Sequence, residues 1–136
     1  LLDKTEVTLD MIKGRIGTGF PPRLLFRFDW DQRLTSLDYY SHHPFLSQEA
    51  CEWLVTKNIK LIGTDAPMPD NPLNGRSSNN DSPNHTILLG NNVAILEYLI
   101  NLASIPPERD FVLSALPLPI ENGDGSPVRA VAIVED

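Results

Sequence analysis

The 136 residues include a single cysteine, Cys51, and only three histidines. One cysteine excludes an intrachain disulfide and suits a reducing, cytoplasmic compartment. No apolar run exceeds about five residues, far short of the roughly 20 that span a bilayer. The first residues, Leu1 to Glu6, carry no secretory pattern and no initiator Met, and they begin in mid-pattern, so a natural start further upstream is expected. Basic residues are few, 11 against 18 acidic ones, and the net charge is −7. They form no stripe that could track a phosphate backbone, so the expected partners include no nucleic acid and no membrane. No phosphate-cradling glycine loop occurs, and Ser36, Ser41, Ser47, Ser104, Ser114 and Ser126 lack a Gly-x-Ser-x-Gly setting.

What is present is ordinary globular material: 41% hydrophobic and 21% charged residues. A chain of this length can bury roughly two-thirds of its unfolded surface, and one domain over residues 1–136 is expected. Thr8 caps a short helix that runs through Ile12 and stops at Gly14 and Gly17. Arg23 to Trp30 is dense in apolar residues and reads as a buried strand, followed by a loop over residues 31–46. Ser47 caps the next helix, where Ala50, Trp53 and Leu54 share one face, and Asn58 suits its left-handed end. A strand over Ile59 to Thr64 follows. Strand, crossover helix and strand favour a parallel pair.

Residues 66–84 are rich in Pro, Asn, Ser and Asp and read as a long loop, of the kind that covers a site. His85 to Leu89 is read as a strand, Asn92 as the cap of a helix over Val93 to Asn101. Phe111 to Leu118 and Val128 to Val134 are read as an antiparallel pair around the Asn122-Gly123-Asp124-Gly125 turn. The fold class is α/β, with a mixed sheet and two or three helices.

Few residues offer chemistry. His42 and His43 adjoin each other on extended chain, where neighbouring side chains diverge, so an exposed or packing role is favoured over shared metal ligation. His85 opens its expected strand at a sheet end, and Glu97, twelve positions on, sits among Val93, Ile95, Leu96, Leu99 and Ile100. A carboxylate in such company needs a partner. A His and a Glu suit Zn²⁺ or Mn²⁺. On spacing alone, a surface Glu and an ordinary His is the favoured reading. Asp29, Asp31 and Asp65 follow strand ends, where carboxylates accept hydrogen bonds from loops or cap turns. Cys51 reads as a small buried side chain.

Several stretches together resemble one family. They are Arg23 to Trp30; His43-Pro44 with Leu46-Ser47 and Glu49-Ala50-Cys51-Glu52-Trp53-Leu54; Ile62-Gly63-Thr64-Asp65-Ala66-Pro67; His85-Thr86-Ile87-Leu88-Leu89-Gly90-Asn91-Asn92-Val93 with Glu97-Tyr98-Leu99; and Ala115-Leu116-Pro117-Leu118 with Gly123 to Ala130. The family is the cyclase family of metal-dependent hydrolases, which includes bacterial kynurenine formamidase and isatin hydrolase. The resemblance runs from about residue 8 to the end. It implies a swivelling β/β/α fold and hydrolysis of a small N-formyl or cyclic amide at a divalent metal, Zn or Mn. His85 and Glu97 match two of the family's metal ligands, which reverses the reading from spacing.

The family's main metal motif, His-x-Gly-Thr-His-x-Asp-x-Pro, does not occur in these residues, and Phe45 stands where the family has Gly. The chain therefore resembles a C-terminal portion. Association with a second copy or with an N-terminal half is expected, and so is an amide substrate. The alternative is a non-catalytic relative that serves as a binding or assembly module.

Overall fold

A computed structural model describes residues 5–16, 19–75, 79–106 and 109–134. The described residues form two compact units, one up to Ile100 and one from Asn101.

In the first unit, β1 (Glu6–Val7) leads into α1 (Leu9–Lys13). Thr8 Oγ1 accepts from the Met11 N–H at 3.4 Å, and the Gly14 N–H closes the helix on Asp10 O at 2.9 Å. Asp10 in the first turn and Lys13 in the last complement the helix dipole. Gly17, the second expected stop signal, lies outside the described residues.

β2 (Arg23–Phe26), α2 (Gln48–Thr56) and β4 (Leu61–Thr64) make the expected parallel crossover, in register from Arg23 opposite Leu61 to Phe26 opposite Thr64. Ser47 Oγ accepts from the Ala50 N–H at 3.2 Å, and Asn58 adopts φ 59° just beyond the helix. α2 buries Ala50, Cys51 and Leu54. β5 (Ala94–Leu96) pairs in parallel with the other edge of β4, so the sheet order is β2-β4-β5. Central β4 buries Ile62, Gly63 and Thr64, as a strand covered on both faces should. β3 (Phe45–Leu46) forms a short parallel pair with β1. Trp30, Leu54, Ile62 and Leu88 lie at the centre of one apolar core.

Three expectations are corrected. β2 ends at Phe26 rather than Trp30, because the Phe28 and Trp30 N–H groups turn to the Asp65 carboxylate instead of a neighbouring strand. Trp30–Arg33 then forms a 3₁₀ turn. The segment with His85 is not a strand but a helix, α3 (Pro83–Gly90). Pro83 at its start presets a helical φ, and the Asn84 and His85 N–H groups are capped by Asp70. The helix expected over Val93 to Asn101 is absent. Asn92 takes φ 58°, which stops helical propagation, and Ala94–Leu96 meets the open edge of β4. The outcome is a mixed α/β architecture, with three α-helices among the described residues.

The second unit holds a 3₁₀ turn (Leu102–Ser104) and the antiparallel ribbon of β6 (Phe111–Ala115) and β7 (Ala130–Val134). Phe111 faces Val134 and Ala115 faces Ala130, confirming the expected pairing with shorter strands. Among the described residues no helix is long and apolar enough to cross a membrane.

Candidate functional site

α3 and β5 bring His85 and Glu97 together, although both elements differ from their expected types. His85 is the third residue of α3, and Glu97 directly follows β5. His85 Nε2 lies 3.2 Å from Glu97 Oε1. On the other side of the ring, His85 Nδ1 lies 2.5 Å from Asp70 Oδ2. Asp70 is fully buried in the segment between β4 and α3. Its Oδ1 accepts from the Asn84 N–H at 2.6 Å, and its Oδ2 from the His85 N–H at 3.3 Å. The Asn84 side chain in turn donates to Leu46 O at 2.7 Å and Pro69 O at 2.9 Å, tying α3 to β3. The ring is therefore held by its own helix and by a buried carboxylate at once.

Two carboxylates flank one imidazole. Hydrogen bonding to Asp70, then to Glu97, pushes the His85 pKa up to about 9 against the opposing effect of burial. His85 Nε2 is the one group facing the buried Glu97 Oε1, which has no further donor among the described residues. A buried carboxylate oxygen facing an imidazole nitrogen is a donor set that fits a divalent cation. The Asp70–His85 bond adds the outer carboxylate typical of histidine ligands. Among the described residues, however, no group of three or more His, Cys, Asp or Glu is arranged to hold a metal.

The other candidates separate cleanly. His43 is fully buried, and its Nδ1 donates to Pro44 O at 3.0 Å, a packing role as expected. Burial holds its pKa below the usual histidine range, opposed by the Pro44 bond and by the charges of Asp70 and Glu97. His42 is half-exposed, with Nδ1 2.8 Å from Ser41 Oγ and 3.6 Å from Asp38 Oδ1. Asp65 does what the strand-end reading anticipated: both its oxygens accept from the Phe28 N–H at 3.0 Å, and Oδ2 from Trp30 N–H at 3.3 Å. Burial pushes its pKa up to about 6, with those backbone bonds opposing. Asp29 adopts φ 56° and pairs on the surface with Arg27 Nε at 2.6 Å. Asp31 lies in the 3₁₀ turn. Cys51 is buried, and its thiol is pushed up to about 12 by that burial.

Sequence reasoning missed Asp70 and the buried state of His43's second nitrogen. Asp70 lies in a stretch so polar that no periodicity marks it. Its one local signal is the proline-started helix thirteen residues on, whose cap Ser82 makes no side-chain bond to the helix and donates its Oγ–H to Asp81 instead.

Comparison with known proteins places these features in context. The model of the cyclase family, described as "Putative cyclase", matches residues 3–71. Kynurenine formamidase of Polaromonas naphthalenivorans is 35% identical over 111 residues, covering 82% of this chain and 45% of its own. Isatin hydrolase A of Labrenzia aggregata, solved with benzyl benzoate, superposes with a TM-score of 0.83 at 33% identity, over 98% of this chain and 56% of its own. A protein of Bacillus stearothermophilus solved as a predicted metal-dependent hydrolase superposes with a TM-score of 0.68 at 25% identity, over 93% and 56%. The chain spans about half the length of the curated relatives it matches.

Proposed function

Because the chain belongs to the cyclase family of hydrolases, we propose that it supplies part of the metal site of an amidohydrolase acting on a small N-formyl or cyclic amide. The observation that carries this reading is the line Asp70–His85–Glu97. Asp70 accepts the hydrogen bond from His85 Nδ1–H, which turns Nε2 toward the Glu97 carboxylate, where a cation would displace the Nε2 proton and take its lone pair. His85 Nε2 and Glu97 would hold a divalent ion, Zn²⁺ or Mn²⁺. Such an ion supplies Lewis acidity toward an amide carbonyl and acidifies a water nucleophile. The chain's own contribution is orientation. The α3 N-terminus and Asp70 fix the imidazole plane, and β5 fixes the start of the Glu97 side chain.

Two protein ligands are fewer than the three of a typical catalytic zinc site. The remaining ligands and the proton-transferring group are assigned to a further polypeptide segment, in a second copy or in additional chain. The setting is cytoplasmic. A specific observation favours a second reading. Since no three-ligand group occurs among the described residues, the chain alone would serve as a binding or assembly module.

Elemental mass spectrometry of the extensively dialysed protein tests the first reading. Near-stoichiometric Zn or Mn is expected, lost in His85→Ala and in Glu97→Ala, together with hydrolysis of formyl or cyclic amides. A folded protein that holds no metal and hydrolyses neither class would leave the module reading in place.

A further inference from the structure

Six described residues other than glycine adopt a positive φ. Five are Asp29, Asn58, Asn92, Asn101 and Asn122, residue types that tolerate the left-handed region. The sixth is Tyr98, at φ 56°, directly after Glu97. A bulky side chain stays in that conformation only when its surroundings fix it. Two sets of contacts do so here. The Tyr98 ring lies 6.4 Å, centre to centre, from the rings of both Tyr39 and Tyr40. The Tyr98 N–H donates to Ala66 O at 3.2 Å, and the Leu99 N–H to Thr64 O at 3.0 Å.

Those two bonds reveal an extra residue. The β4–β5 ladder opens with the Ala94 N–H on Lys60 O at 3.0 Å, and a parallel pair repeats such a bond every second residue. The Tyr98 N–H would then reach Thr64 O, but the Leu99 N–H takes that place. The chain after Leu96 therefore carries a bulge of one residue. The side chains agree. A Cβ on Gly63 would meet Leu96 Cβ at 3.5 Å and Leu99 Cδ1 at 2.9 Å, so residues three apart reach one face that regular alternation would deny to one of them. Glu97 is held from both sides: Leu96 pairs with Gly63 before it, and Leu99 is anchored over the same glycine after it. Bulges next to functional sites re-aim side chains in this way.

We propose that Tyr98 is a positioning residue for Glu97: its left-handed backbone closes the bulge that aims the Glu97 carboxylate at His85. The inference rests on the metal-site reading for its functional meaning, but not for its geometry. Tyr98 acts through the main chain of Glu97, and its ring serves to hold the backbone angle.

Two substitutions separate the backbone from the ring. Tyr98→Asn removes the ring and supplies a residue type that this chain already uses at positive φ. Tyr98→Val also removes the ring, but its β-branched side chain rejects that conformation. The readouts are Zn²⁺ affinity of the full chain by chelator competition and thermal midpoints without metal. Tyr98→Val should weaken Zn²⁺ binding about 10–100-fold, the range for residues that orient metal ligands. Tyr98→Asn should bind Zn²⁺ like wild type, even where the lost ring contacts lower its midpoint. Undiminished affinity in Tyr98→Val overturns the proposal. An equal loss in both variants does the same, because it would assign the effect to the ring.

If Tyr98→Val fails to fold, or wild type binds no Zn²⁺, metal-free crystal structures of wild type and Tyr98→Asn decide. Wild type must show a left-handed residue 98 together with Glu97 Oε1 within about 4 Å of His85 Nε2. Tyr98→Asn must keep or lose these two features together. Either feature without the other, in either protein, overturns the proposal. Wild type that binds no Zn²⁺ would defeat the metal reading alone, since these structures judge the positioning without a metal.

Discussion

Asp70 grips His85 at two points with one oxygen: Oδ2 meets the ring Nδ1 at 2.5 Å and the backbone N–H of the same residue at 3.3 Å. The carboxylate's other oxygen holds the preceding N–H, of Asn84, at 2.6 Å. A residue fourteen or fifteen positions earlier therefore caps α3 and sets its functional ring in a single contact.

Asp70→Asn should break both roles unequally. The amide oxygen can still cap one N–H, but the NH₂ group cannot receive the ring proton. The proton then moves to Nε2, where it faces Glu97 and opposes a cation. Zn²⁺ affinity should fall about 10–100-fold, and folding stability by roughly 1–3 kcal/mol. Calorimetric titration and urea unfolding check the two effects. Undiminished affinity would detach Asp70 from the site.

Asp65 makes stability depend on pH in an unusual direction. Its pKa is pushed up to about 6 by burial, above the ordinary value near 3.9. Between those values the folded state binds the proton more tightly than the unfolded chain, so this group's contribution is full below about pH 4 and is lost as pH rises to about 6. In Asp65→Asn that slope disappears. The stability gap between wild type and variant should be widest near pH 4 and narrower at pH 7, by up to about 3 kcal/mol. Parallel denaturation curves at the two pH values measure it, and a gap that widens with pH would refute the assignment.

The cap of α2 offers a local check on the crossover unit. Ser47 Oγ takes one of the first free N–H groups, that of Ala50, at 3.2 Å. Ser47→Ala should cost about 1 kcal/mol, and Ser47→Asp should restore most of it. Equal stability of serine and alanine proteins in denaturant would show that α2 is held by its packing alone.

Trp30 tests the loop that Asp65 gathers. Its Nε1–H donates to Tyr39 O at 3.0 Å inside the core. Trp30→Phe leaves that buried carbonyl unpaired, so a loss of about 1–3 kcal/mol is expected. A thermal midpoint like that of wild type would mean that water reaches the carbonyl.

Much of this architecture is written in local signals. Thr8, Ser47 and Asn58 sit where caps belong, and the spacing of Ala50 and Leu54 marks the buried face of α2. Those signals act within a turn or two, so a sequence displays them directly. The region from His85 to Glu97 is different. His85-Thr86-Ile87-Leu88-Leu89 is a short apolar run, which suits a buried strand as well as a buried helix. What decides is Asp70, whose capping arrives from a distant loop. Val93 to Leu96 has the spacing of an amphipathic helix, yet the vacant edge of β4 claims it. His85 and Glu97 were legible as a pair only through family resemblance, since their proximity depends on both of those long-range choices. Asp65 was visible because it stands at a strand end; Asp70 was not, because nothing around it repeats.

Cys51 lends itself to a different use. It is the sole thiol, sits on the buried face of α2, and is pushed up to about 12 by burial. A thiol reagent therefore finds no thiolate while α2 stays packed in the core. Each labelling event records one excursion of that helix away from its bed, so the chain carries a built-in stopwatch for its own opening.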